Sequence, residues 1–191
     1  MNKDILGSFF NRILPLFPPR TEAVLKDVTT SSLQELNFRY IFTVDGMVTI
    51  SHIIEDMVNQ NKGVSSLHVS FQYFSRFASQ AERYRIVASH ATGLWLYGAD
   101  DAQLPELPRM TAINAKDTPL EKYWFVIAYG PGVSATLLAE EITPEHRLAH
   151  EPRMYEGFYT FEVDTAYQIL MLMHQMFPKQ VPLPIAPEKI K

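Results

Sequence analysis

The sequence predicts an α/β domain, a single mixed parallel/antiparallel sheet covered by helices. Three observations lead there. Between residues 38 and 98, short aromatic and β-branched runs alternate with amphipathic helical runs in the order βαβαβ. That order calls for parallel strands joined by crossover helices. Beyond residue 109, several extended runs follow one another without a helix between them, which favours antiparallel pairing. A last helical run, Val163 to Phe177, then closes the domain.

The elements follow in order. Residues 3–14 place Ile5, Leu6, Phe9, Phe10, Ile13 and Leu14 at helical spacing and stop at Pro15, Pro18 and Pro19. Such a helix packs on its own domain, docks on a partner, or lies on a membrane surface. Lys3 and Arg12 alone are thin positive charge for anionic lipid. "FRYIFTV" (38–44) reads as a strand leaving through an Asp45-Gly46 turn. "MVTISHIIEDMVNQN" gathers Met47, Ile50, Ile54, Met57 and Val58 on one helical face, with His52, Glu55, Asp56 and Asn59 outside it. "VSSLHVSFQYF" (64–74) is a second strand. A helix from about 75 to 91 then buries Phe77, Ala78, Ala81, Tyr84 and Ala88. "GLWLYG" (93–98) and "RMTAINA" are further strands. "KYWFVIAYG" and "SATLLAEE" flank the Gly130-Pro131-Gly132 turn and should pair as a hairpin. "RMYEGFYTFE" looks extended, and "PKQVPLPIAPEKIK" is a proline-rich tail not expected to pack along its whole length.

Composition narrows the function. The net charge of −4 gives no chain-wide basic field for nucleic acid. The absence of cysteine excludes disulfides, thiol nucleophiles and thiolate metal sites, and fits a reducing compartment. No run approaches the ~18 apolar residues of a spanning helix. No small-residue cleavage site follows the first helix. A cytoplasmic location is expected, with peripheral association to a larger complex as its variant.

Motifs for chemistry are sparse. His52, Glu55 and Asp56 form H-x-x-E-D, where His and Glu at i, i+3 can share a metal but more simply form a solvated helix face. His146 and His150, between Pro144 and Pro152, read as a loop. No P-loop, dinucleotide fingerprint or nucleophile elbow is present, and "YGPGVSA" lacks the lysine and the strand-to-helix context. No catalytic residue and no metal site is nominated. The last helix, with Met171, Met173 and Met176 beside Leu170, Leu172 and Phe177, is apolar nearly all round and argues for self-association or a partner. Arg76, Gln80 and Arg83 recur at i, i+4 and i+7 on one polar face. Such a row of donors can hold an anionic ligand or an internal carboxylate. Glu156 is the internal candidate, because Gly157 lets another backbone approach.

Four segments also carry a family likeness: "LNFRYIFTVDGMVTISHIIEDMV", "FQYFSRFASQAERYRIVASHATGLWLYG", "LEKYWFVIAYGPGVSATLLAEE" and "RMYEGFYTFEVDTAYQIL". In that order they resemble the blocks of the DICT domain, most closely its cyanobacterial members. The specific pieces are the F-Q followed by E-R-Y-R-x-x-A, the W-x-x-x-x-x-G-P strand and turn, and the E-G-F-x-T-F-E block.

The resemblance implies an α/β sensory input module linked to light or redox responses. Its relatives are often attached to kinase, cyclase or phosphodiesterase output domains. Here a proline-rich tail follows instead, so a stand-alone module acting through a protein partner is expected. The division implied is a helix and proline-containing linker (1–32), a sensory domain (33–177) and a tail (178–191). The family pattern falls on Phe71, Gln72, Arg83, Tyr84, Trp124, Gly130, Glu156, Gly157, Thr160 and Phe161.

Function is therefore expected to be regulatory and non-enzymatic, answering a small molecule or a light- or redox-related signal. The alternative is an adaptor or assembly subunit of a larger complex, photosynthetic or light-harvesting, that has kept the sensory fold. Candidate ligand residues are Gln72, Arg76, Arg83, Tyr84, Trp124 and Glu156, with Arg83 expected to anchor to Glu156 and Arg76 freer to meet a ligand. Candidate partner residues are Ile5, Phe9, Phe10, Ile13, Met171, Met173 and Met176. The identity of any cofactor is left open.

Overall fold

The computed structural model describes residues 4–20, 38–143 and 151–190. In chain order the elements are α1 (Ile5–Ile13), β1 (Pro19–Arg20), β2 (Arg39–Thr43), α2 (Val44–Gln60), β3 (Ser66–Tyr73), a 3-10 segment (Phe74–Gln80) and α3 (Ala81–His90). There follow β4 (Leu94–Ala99), β5 (Met110–Asn114), β6 (Tyr123–Gly130), β7 (Val133–Glu141), β8 (Met154–Thr160) and α4 (Val163–Met176). One eight-stranded sheet runs in the order β1-β2-β8-β7-β6-β3-β4-β5. The β6–β7 hairpin forms as expected, with Gly130 opposite Val133.

Topology fixes where the helices lie. The steps from β2 through β8, β7 and β6 to β3 are all antiparallel, so β2 and β3 run the same way, and β4 runs parallel to β3. The β2–α2–β3 and β3–α3–β4 crossovers both advance in one direction across the sheet. Right-handed connections then put α2 and α3 on the same face. There Met47, Ile50, Ile54 and Val58 of α2 and Tyr84, Val87 and Ala88 of α3 join the buried cluster with Val69, Val126, Leu137 and Tyr155. On the opposite face Leu6, Phe9 and Phe10 of α1 and Ile169, Leu170 and Met173 of α4 pack with Phe125, Ile127, Leu138 and Phe158. Burial on both faces is why β6 reads as a continuous apolar run, whereas β3 alternates and buries the polar His68 and Ser70 on its second face.

Several expectations change. Asp45-Gly46 is not a turn but the first turn of α2, because the Thr43 side chain caps the helix by accepting from the Gly46 amide at 3.2 Å. The helix expected from residue 75 begins as a 3-10 segment, which brings Phe74 and Phe77, at i and i+3, into the core together. Phe9, Phe10 and Met173 are core residues and are not available to a partner, whereas Ile5, Ile13, Met171 and Met176 remain half-buried. The proline-rich tail is also packed at several points. Val181 and Ile190 are buried, Tyr129 Oη donates to the Ile185 carbonyl at 2.6 Å, and Trp95 Nε1 donates to the Gln180 carbonyl at 2.9 Å. Ring donors on the sheet thus satisfy a segment whose prolines leave few amides to pair. Among the described residues, no helix is long and apolar enough to cross a membrane.

Candidate functional site

The carboxyl ends of β2, β3, β4 and β7 lie at one edge of the sheet, where β6 and β8 begin. Such edges, beside crossover helices, are where α/β sheets leave room for ligands. Here a cavity of about 320 Å³ opens between the first half of α2, the 3-10 segment and the end of β3. Val44, Val48, Val69, Phe71 and Trp124 supply its apolar wall, and Ser51, His52, Glu55, Arg76, Tyr84 and Arg153 its polar groups. Trp124 is held edge-on to Tyr155, ring centroids 5.4 Å apart, and donates Nε1 to Ser51 Oγ at 3.2 Å.

One polar network is organised by a β-bulge. Ser70 pairs with Tyr97 but Gln72 pairs with Gly98, so Phe71 is the extra residue. Strict alternation would turn Gln72 to the face of His68 and Ser70, and the inserted residue reverses that phase. Gln72 adopts φ +63°, an uncommon conformation for a non-glycine side chain, and is buried. Its Oε1 accepts from Arg76 Nη1 at 2.5 Å, from Tyr155 Oη at 3.0 Å and from Arg153 Nη2. Its Nε2 donates to the Glu121 carbonyl at 2.9 Å and to Glu141 Oε2 at 3.0 Å. Arg153 grips Glu141 with Nε and Nη2, each 2.9 Å from a carboxylate oxygen. Burial opposes the Glu141 charge, yet the Arg153 and Gln72 contacts outweigh it and hold its pKa below the usual value. Arg76 is in the reverse position. Burial and then repulsion from Arg153 lower its pKa.

The second network joins α2 to α3. Glu55, 2% exposed, accepts from Tyr84 Oη at 2.5 Å and from Arg83 Nε. Arg83 Nη2 also reaches the His52 carbonyl at 2.8 Å and Asp56 at 2.7 Å. Burial raises the Glu55 pKa despite the bonds from Tyr84 and Arg83. For Arg83, burial works against the charge, but Glu55 and Asp56 outweigh it and the pKa rises.

This geometry corrects two readings. Glu55 is not on a solvated face, because α3 and its Arg83 and Tyr84 cover it. Arg83 does not meet Glu156. Tyr155 and Tyr159 of β8 face α2 and α3, so alternation sends Glu156 to the other side with Phe158, between Ile41 and Glu140 in the flanking strands. Gly157 does permit close approach, but by β7: a Cβ there would overlap the Leu138 carbonyl oxygen.

Of the sequence-derived ligand residues, Arg76, Tyr84 and Trp124 line the cavity, Gln72 braces its arginines, and Arg83 stands one bond behind Glu55. Arg153 and Glu141 were not anticipated. Their partner Gln72 is remote in sequence, and no local spacing signals the contact. The His146/His150 loop lies outside the described residues, and among those described no cluster of three or more His, Asp or Glu could hold a metal.

Comparison with known proteins agrees with the fold. No curated protein matches the chain. The polyphosphate kinase of Porphyromonas gingivalis shares the architecture at a TM-score of 0.54 and 7% identity, over 86% of this chain and 31% of the kinase. That is a likeness of fold alone. Residues 23–142 match the model of the sensory domain in diguanylate cyclases and two-component systems, and the chain therefore belongs to the DICT family.

Proposed function

We propose that this chain is a non-enzymatic sensory module that binds a small molecule in the α2/β3 cavity and signals through a protein partner. The carrying observation is the cavity itself: an apolar pocket of about 320 Å³ into which a few fixed polar groups converge, in a domain of a sensory family. Its walls come from α2, β3, the 3-10 segment, α3 and β6, so an occupant touches both crossover helices at once. The Glu55–Arg83 link ties those helices together. A ligand that prefers one spacing of α2 and α3 would shift the population of that arrangement. The half-buried Ile5, Ile13, Met171 and Met176 on the opposite face support a contact surface for the partner.

Val48→Trp tests the reading by filling the cavity from a half-buried position on α2. Native mass spectrometry of the chain purified from its own cells should show a bound small molecule that the variant lacks, with the fold kept by circular dichroism. A ligand retained by Val48→Trp would place binding elsewhere and sink the proposal.

A further inference from the structure

We propose, resting on the cavity reading above, that the occupant is an anion: a carboxylate or phosphate carried on a flat apolar body, with Arg76 as its principal contact. The cavity wall carries the charges of Arg76, Arg153 and Glu55. Glu55 is committed to Arg83 and Tyr84, and Arg153 is committed to Glu141. Arg76 has no carboxylate within ion-pair distance among the described residues. Its side-chain contacts are one bond to an amide oxygen that Arg153 and Tyr155 already use, and the face of Tyr73, 4.6 Å from the ring centroid.

Two guanidiniums converging on one neutral oxygen repel each other. A third group carrying negative charge would relieve that repulsion and take up the remaining N–H donors of Arg76. An internal carboxylate would suffice if the arrangement were purely structural, but among the described residues none pairs with Arg76: Glu141 is gripped by Arg153 and Asp101 is bonded to Ser75. The valines, Phe71 and Trp124 opposite offer no polar groups except the indole N–H, which Ser51 already takes. They suit an apolar body, and Trp124 and Phe71 suit a flat one. The volume sits near the lower end of small-molecule sites, about 300–1,000 Å³, so one or two fused rings with an acidic group match it.

Titration calorimetry with naphthoate, naphthyl phosphate and neutral naphthamide separates the possibilities. One or both anions should bind and the amide should bind at least about tenfold more weakly, the ratio between the anions identifying the preferred acid. Arg76→Met should weaken anion binding by about 10- to 100-fold, and Arg76→Lys should restore part of it. Arg76 breaks no ion pair when replaced, so its variants should melt like the parent. Arg153→Met, which strands Glu141, should both destabilise the fold and weaken binding. Equal binding of the amide, or an Arg76→Met variant that binds like the parent, overturns the anion assignment while leaving the cavity as a ligand site. Binding of none of the probes overturns the assignment too, and the Val48→Trp comparison of co-purified ligand then decides independently whether the cavity is used.

Discussion

Arg83→Met gives the sharpest test of how the two crossover helices are joined. The perturbation removes the guanidinium and keeps a long apolar stem over the same surface. Glu55, 2% exposed, would retain only Tyr84 Oη at 2.5 Å. Losing the contact to Asp56, which is 53% exposed, should cost about 0–1 kcal/mol. Stranding a buried carboxylate costs about 3–5 kcal/mol, and the lower end applies because Arg83 is itself 28% exposed and Tyr84 still donates. The expected loss is therefore about 3 kcal/mol near neutral pH. Its pH dependence carries a sign. The Glu55 pKa is already raised by burial, and Arg83 is one of the groups holding it down. Without Arg83 it climbs further, so the folded state binds a proton that the unfolded state has released. Stability is then full below the ordinary glutamate value of 4.5 and falls as pH rises through the folded pKa. Urea denaturation followed by circular dichroism at acidic and neutral pH should show a small deficit in acid that grows toward neutrality. Glu55→Gln should flatten that trend, and the double variant should resemble Glu55→Gln alone, so the coupling equals the Arg83→Met loss of about 3 kcal/mol. Additive losses, or a deficit that does not change with pH, would refute the reasoning. Arg83→Met combined with Glu156→Gln should be additive, since the two lie on opposite faces of the sheet.

Three other outcomes follow from the packing. His68 is buried against Trp95, ring centroids 4.4 Å apart, bonds Tyr97 Oη at 3.0 Å, and has a pKa lowered by burial to about 3. The unfolded chain therefore takes up a proton first, and stability is lost as pH falls from about 6.5 toward 3. His68→Phe should cost about 1–3 kcal/mol at neutral pH through Tyr97 and flatten the acid limb seen in the parent by chemical denaturation. Gly157→Ala should destabilise by at least about 1–3 kcal/mol, measured by urea midpoint, because its methyl would overlap the β7 backbone at Leu138 and Ala139 and the short Ala139 side chain, none of which can swing aside. Deleting residues 178–191 should lower the melting temperature, since it uncovers the sites of Val181 and Ile190 and removes the acceptors of Trp95 and Tyr129; an unchanged melt would mean the tail contributes nothing.

Periodicity made the sheet and helices legible because both reflect which side of an element is buried, and the chain states that locally. Ile50, Ile54 and Val58 mark the buried side of α2, and Phe125 to Ile127 mark a strand covered on both faces. The site was legible only in part. Arg76 stood out by residue type and helical spacing, and Tyr84 by the family pattern. The partners did not, because pairing across a sheet depends on register, and a single inserted residue at Phe71 changes which face Gln72 serves. Glu55 was misread for a related reason. A carboxylate off the main apolar stripe of α2 is ordinarily solvated, and only the packing of α3 against that flank turns it inward. Glu156 shows the converse: a glycine neighbour correctly announced a close backbone contact, but alternation placed the acid on the wrong side to meet Arg83.

The two networks divide the labour between rigidity and responsiveness. Glu141 is held below its usual pKa by a two-bond grip from Arg153, so that pair stays charged and fixed throughout the neutral range. Glu55 is pushed the other way by burial, and its charge depends on Arg83 and Tyr84, both from α3. Any movement of α3 away from α2 would lengthen those bonds and favour protonation of the acid. The Arg153–Glu141 side belongs to β7 and the residue just before β8, and Gln72 connects it to the end of β3, so it is anchored on the sheet. An occupant of the cavity that draws on Arg76 would pull the 3-10 segment, and α3 directly after it, relative to that fixed frame. Under the proposed binding, the Glu55 link is the element whose strength would change with occupancy, which is the property a sensory module needs at the junction of two helices.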